Sequence, residues 1–353
     1  MAKLTLAPGA PSVSRLRRDP QAVEDLERKI APPFTGELSA KPTEGASGLW
    51  TWLLVAGFAL ILACCAPAPS PPRPPAPPPT AAQRAAPDCR APGFEAAARI
   101  NQSSLAQLPW APFGRDEVGW RIYAPLIAHE IGVDCPAASP AFARGLAEWQ
   151  ARRGYPADGL VSGITFTRLK GELQGRRPFV LLSARGVCAA PAAEAELVTL
   201  TPQEGLGGKV VQLQAGAARA WRAMVAAARA EDPAIAADPD LMKIFSGYRS
   251  PAYDAARCQA QGNCNGRERA ACSPHRTGQA MDLYLGTAPG FSADSSADAN
   301  RLAMTRGPAY RWLLANAARF GFVNYPFEPW HWEWTGQRPD APPLASRRPR
   351  PLA

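Results

Sequence analysis

Apolar residues recur at helical spacing in several separate stretches. In "PAFARGLAEWQARRG" they fall at Phe142, Leu146 and Trp149, and "IYAPLIAHEIG" shows the same period. A further helix is predicted from Thr165 through Leu169, after a turn at Asp158-Gly159. In "VVQLQAGAARAWRAMVAAARAED" one helical face collects Val210, Leu213, Ala217, Trp221, Met224 and Ala228. Helix starts are also marked by Ser250-Pro251 and by Pro308, the latter helix closing at Gly321. Strict alternation appears in "MDLYL" and "WHWEW", and "LMKIFSGYRS" reads as a short strand followed by a turn. The pattern predicts an α+β fold, with helices packed on a small antiparallel sheet over residues 190–340. A small three-helix domain is predicted to precede it, over residues 90–185.

The N-terminal quarter lacks these periods. Residues 1–48 are polar, with scattered prolines and mixed charge, and are expected to be disordered and cytoplasmic or to precede a signal. Residues 49–65 contain the uncharged run Leu49 to Ala63, shorter than the roughly 20 residues of a membrane span and suited to a signal-peptide core. "ILAC" resembles a bacterial lipobox with Cys64 as the lipidated residue, although Leu62 fits that pattern imperfectly. Cleavage, lipidation and an uncleaved anchor all remain open, as does a later start codon. Residues 66–89 are a Pro/Ala-rich linker of the extended, semi-rigid kind. Residues 341–353 are a disordered basic tail. This order implies an exported protein held at a membrane, with its folded part some distance away.

Composition adds three constraints. A chain of 353 residues has room for two domains and tails. The net charge of +9 suits anionic polymers or membrane surfaces; no dense Lys/Arg stripe interleaved with aromatics points to nucleic acid. Cys89, Cys135, Cys188, Cys258, Cys264 and Cys272 form an even set with no C-x-x-C pair, which in an exported chain reads as disulfides. One disulfide is expected among Cys258, Cys264 and Cys272, leaving one of them to pair elsewhere.

The chemistry centres on "SPHRTGQAMDLYL", which holds one of only three histidines. His275 and Asp282 would stand about 10 Å apart on a helix and more than about 20 Å apart on a strand. They can share a metal only if the chain doubles back, and Gly278 permits that bend. Asp282 then points from an alternating strand into a cleft, beside the small Ala280. His331 in "EPWHWEW" supplies a third ligand from another strand, while Trp330, Trp332 and Trp334 face the other way. Two histidines and one aspartate leave a fourth zinc position for water. Glu328 is placed as general base and later acid, and Arg249 in "SGYRS" as stabiliser of an oxyanion. His129 is expected to be a packing or surface residue.

Two resemblances rest on these motifs. Trp149-Gln150, the Asp158-Gly159 turn and the T-x-x-x-L run from Thr165 resemble the three-helix peptidoglycan-binding domain, with Ser162 where that family has glycine. S-G-Y-R-S, S-x-H-x-x-G-x-A-x-D and E-P-W-H-W, in that order, resemble the VanY-type zinc D-alanyl-D-alanine carboxypeptidases. Their fold is shared with D-Ala-D-Ala dipeptidases and the hedgehog signalling domain. This second resemblance implies zinc on His275, Asp282 and His331, Glu328 as base, Arg249 as clamp on substrate or intermediate, and Ser273 lining the substrate pocket. It implies a bacterial envelope enzyme, periplasmic and membrane-anchored, acting on peptidoglycan stem peptides and most simply releasing terminal D-alanine. An endopeptidase of the same fold, cutting an internal bond such as L-Ala–D-Glu, and a wall-binding zinc protein without turnover are the alternatives.

Overall fold

The computed structural model describes residues 88–183, 185, 187–260 and 272–336. The polar N-terminal stretch, the apolar segment with Cys64, the linker up to Pro87, Cys264 and the basic tail lie outside the described residues. Among the described residues no helix is long and apolar enough to cross a membrane.

The upstream stretch contains the three helices that the sequence marks: α2 (Ala124–Ile131), α3 (Pro140–Ala151) and α4 (Gly163–Gln174). They are flanked by α1 (Glu95–Gln107) and the short α5 (Pro178–Ser183). A two-stranded ribbon, β1 (Pro109–Trp110) with β2 (Glu117–Val118), lies between α1 and α2. Ser139 and Ser162 cap α3 and α4 by accepting hydrogen bonds from the backbone of Phe142 and Thr165. Phe142, Leu146 and Trp149 fill a core with Trp120, Ile127 and Phe166. Gln150 of the W-Q pair is buried; its amide donates to Asp158, and its oxygen accepts from the backbone of Gly159, which fastens the turn to α3. A disulfide joins Cys89 to Cys135. His129 is exposed.

The second stretch opens with a ribbon of β3 (Leu197–Thr199) and β4 (Gln212–Gln214). Here the structure corrects the expected helix. It begins only at Ala215, as α6 (Ala215–Glu231), because residues 212–214 are extended and paired with β3. Leu213 reaches the core as a strand residue, and Val210 is exposed. The short α7 (Pro233–Ala237) follows. A four-stranded antiparallel sheet has the order β5-β6-β8-β7, from β5 (Ile244–Ser246), β6 (Ala280–Leu283), β7 (Phe322–Tyr325) and β8 (Glu328–Trp334). Helices α8 (Pro251–Ala260), α9 (Asp298–Arg306) and α10 (Pro308–Asn316) complete it. Trp221 and Met224 of α6 pack with Met281, Leu283, Trp330, Trp332 and Trp334 in a second core. The α+β architecture is therefore the expected one. Residues 88–336 belong to one compact unit, with the two cores side by side.

Candidate metal centre

Each ligand position follows from a local feature of the chain. Ser273 caps a 3-10 turn over Pro274–Thr277, which carries His275. Gly278 ends that turn at φ +66°, in the left-handed region that glycine enters without strain. The chain reverses there and enters β6, where Asp282 pairs in register with His331 on β8. The predicted doubling back is thus the observed path.

His275, Asp282 and His331 are all buried, and one ligand atom from each lies within 4.8 Å of the others. His275 Nε2 is 3.3 Å from Asp282 Oδ2, and His331 Nδ1 is 2.9 Å from Asp282 Oδ1. The rings stand edge to face with centroids 5.0 Å apart. His275 Nδ1 meets the Gly247 carbonyl at 2.7 Å, so Nδ1 carries the proton and Nε2 is left free for a ligand. Donors about 2 Å from a tetrahedral ion stand a little over 3 Å apart, and two imidazoles with one carboxylate are a zinc-type set. The residues present therefore fit a zinc ion.

The protonation balance is compatible with that. Burial pushes His275 down to about 4, so it is neutral near pH 7. Burial would raise the Asp282 carboxyl, but His275 and His331 outweigh it and hold the carboxyl far below its usual range. Burial likewise opposes charge on His331, but hydrogen bonding to Asp282 and Glu333 outweighs it and raises His331 to about 9. A cation at the site would take the place of that proton.

Glu328 opens β8 and sits 3.9 Å from His331 Nδ1 through Oε2. Burial raises its pKa, with the charge of His331 opposing this and that of Asp282 adding to it. Arg249 follows β5 and reaches toward the centre, with Nη1 3.9 Å from Asp282 Oδ2. Its guanidinium donates to Ser246 Oγ and Ser273 Oγ, both at 3.0 Å. Ser273 Oγ also accepts from the backbone of His275 at 3.3 Å. Ser273 is thus placed as a strut between Arg249 and the His275 turn. All six residues singled out in the sequence meet in one place.

Residues 210–337 match the family model for D-alanyl-D-alanine carboxypeptidase, VanY. That stretch resembles a VanY-type domain. The family that this stretch resembles is one of carboxypeptidases. Among curated proteins no match is found. The chain is similar to the solved LdcB LD-carboxypeptidase, described with its peptidoglycan recognition, at 25% identity and a TM-score of 0.27. That alignment covers 35% of this chain and 59% of the LdcB chain. A zinc(II) complex of a mutant vancomycin resistance D,D-pentapeptidase VanY aligns at 20% identity and a TM-score of 0.25, over 42% of this chain and 86% of that one.

Two further acidic residues of the matched stretch carry weight at the site and are not marked by any sequence motif. Asp254, buried on the first turn of α8, forms an ion pair with Arg249 Nε at 3.3 Å. The helix start at Ser250-Pro251 could have indicated it, since position 254 lies one turn beyond Ser250 and so returns beside the S-G-Y-R-S turn. Glu333 lies two residues beyond His331 on the same strand face and is also buried. Nothing local in "WHWEW" reveals its partner, which is Arg177. The cysteine expectation divides: Cys272 pairs with Cys188, outside the loop, and Cys258 is disulfide-bonded as well.

Proposed function

We propose that this protein is a zinc metallopeptidase of peptidoglycan stem peptides that releases terminal D-alanine. The observation that carries this reading is the buried His275–Asp282–His331 cluster with Glu328 beside it. The VanY-family match supports the choice of bond. Bound zinc would be held by these three side chains, and would polarise a peptide carbonyl and ease the ionisation of water.

The remaining work falls to the chain's own residues. Glu328 accepts the proton of the attacking water and passes it to the leaving amine; its raised pKa suits both halves of that transfer. The bound peptide's carbonyl oxygen gains negative charge on attack. Arg249 is the cation that faces it, held in place by Asp254, Ser246 and Ser273. His275 is kept in a fixed orientation by the Gly247 carbonyl, and neither histidine takes part in proton transfer.

We further propose an envelope setting, with residues 49–65 and Cys64 as anchor or lipid attachment and the linker as spacer. Peptidoglycan is the partner, and tethering raises the local concentration of its stem peptides. The test is digestion of a defined pentapeptide stem by the zinc-loaded protein, with products read by mass. Loss of one terminal alanine, abolished by a chelator and restored by zinc, is expected. An internal cut would make it an endopeptidase instead. Binding of muropeptides without any product would make it a wall-binding protein.

A further inference from the structure

The upstream helices reach the metal centre through one buried side chain. Arg177 lies in the turn between α4 and α5, outside the VanY-type segment. Its Nε and Nη2 donate to Glu333 Oε1 at 2.8 and 2.6 Å. The other carboxylate oxygen, Glu333 Oε2, accepts from the backbone of Phe179 at 3.2 Å. Both oxygens of Glu333 are therefore held by the upstream stretch, although Glu333 itself sits on β8. Arg177 is fixed in turn, because Nη1 donates to the buried Gln174 at 2.6 Å and its guanidinium lies 4.2 Å over the Tyr325 ring.

Glu333 faces His331. Its Oε1 lies 3.5 Å from His331 Nε2, a buried ring nitrogen with no closer hydrogen-bond partner. A proton on Nε2 directed at that carboxylate leaves the Nδ1 lone pair, 2.9 Å from Asp282 Oδ1, free to ligate a cation at the centre. This mirrors His275, where the Gly247 carbonyl selects the free nitrogen. Space for the Glu333 carboxylate comes from Ala280, its paired residue on β6, whose side chain is a single methyl.

We propose that Arg177 and Glu333 form a relay by which the upstream helical stretch orients His331 for metal binding. Arg177 is a positioning residue, acting through Glu333 on a ligand that it does not touch. The upstream helices are, on this account, a working part of the catalytic centre as well as any attachment to the wall. The inference rests on the zinc-site reading above.

The test measures zinc affinity of the purified full-length protein by competition with a chelating dye, the visible spectrum of its cobalt-loaded form, and stem-peptide kinetics. Arg177→Met is expected to weaken zinc binding about tenfold or more, the lower end of what loss of an outer support costs a metal site. It should alter the cobalt spectrum and lower kcat more than it raises KM. Arg115→Ala is the control: it removes an ion pair with Asp298 that joins the same two stretches elsewhere. It should leave zinc affinity and the cobalt spectrum unchanged. If Arg177→Met does not fold, Glu333→Gln and the uncharged pair Arg177→Met/Glu333→Gln decide the matter by the same measurements. A folded variant of either kind with wild-type zinc affinity and an unchanged cobalt spectrum overturns the relay. Failure of the unaltered protein to bind zinc overturns the zinc-site reading instead, so the two failures are distinguishable.

Discussion

At the scale of single residues, Glu328 is the group whose environment most resembles a tuned acid–base catalyst. Burial raises its proton affinity, and a base that is ionised yet not strongly acidic transfers protons best near neutrality. Glu328→Gln keeps the shape and removes the proton transfer. It is expected to lower kcat by about 10²–10⁴-fold while the protein still binds one zinc per chain, measured by stem-peptide turnover and metal analysis. Turnover within a few-fold of wild type would remove Glu328 from the mechanism. This residue, the candidate metal cluster of His275, Asp282 and His331, Arg249 and Ser273 were all legible in the sequence, because each is of a reactive or charged type set in a short, strongly constrained motif. Asp254 and Glu333 were not. Their importance comes from what they touch, and for Glu333 that partner is 156 residues away.

At the scale of elements, the site depends on a reversal at Gly278 and on the anchoring of short ribbons. A Cβ at position 278 would stand 2.9 Å from the Gln214 backbone nitrogen and 3.0 Å from Leu197, in a left-handed conformation. Gly278→Ala should therefore cost about 1–2 kcal/mol for the backbone alone, seen as a lower Tm; an unchanged Tm would mean that the turn relaxes freely. The loop ahead of β4 is pinned by Glu204, which accepts from Arg222 of α6 and from the backbone of Thr201. These partners, Arg222 first, pull its pKa from 4.5 down to about 2. A depressed folded-state pKa means that the ionised form favours folding. The contribution is complete above the unfolded value of 4.5 and is lost as pH falls through about 2. Glu204→Gln should thus melt below wild type near neutrality, and the two melting curves should converge between pH 4.5 and 2. A gap that persists to pH 2 would point to packing as the cause. The long helices were legible because several turns of periodicity repeat the same message. The three-residue strands β3 and β4 carry too little period to compete with the helical pattern that runs through Leu213 into α6.

At the scale of the whole molecule, the sequence suggested two units in series, each with its own hydrophobic pattern. The structure holds two hydrophobic cores within one compact unit, and charged side chains join them where no periodicity would announce it. Arg301 of α9 is completely buried. It donates to Glu117 of β2 at 2.9 Å, to the hydroxyl of Tyr123 at 2.5 Å and to the Phe327 carbonyl at 2.9 Å. Tyr123 in turn donates to Glu117 at 2.9 Å. Arg301 and Glu117 are 184 residues apart, and in the sequence each is an unremarked charge. Removing one member of such a pair strands the other in a low-dielectric interior, which costs roughly 3–5 kcal/mol. Glu117→Ala is therefore expected to lower the stability of both stretches together, and calorimetry of the unaltered protein to give one transition for residues 88–336. Two separate transitions, with Glu117→Ala moving only one of them, would show that the stretches melt independently. A single transition displaced as a whole would mean that the helices ahead of the VanY-type segment fold and unfold with the metal centre. The upstream stretch could not then be removed without loss of the site.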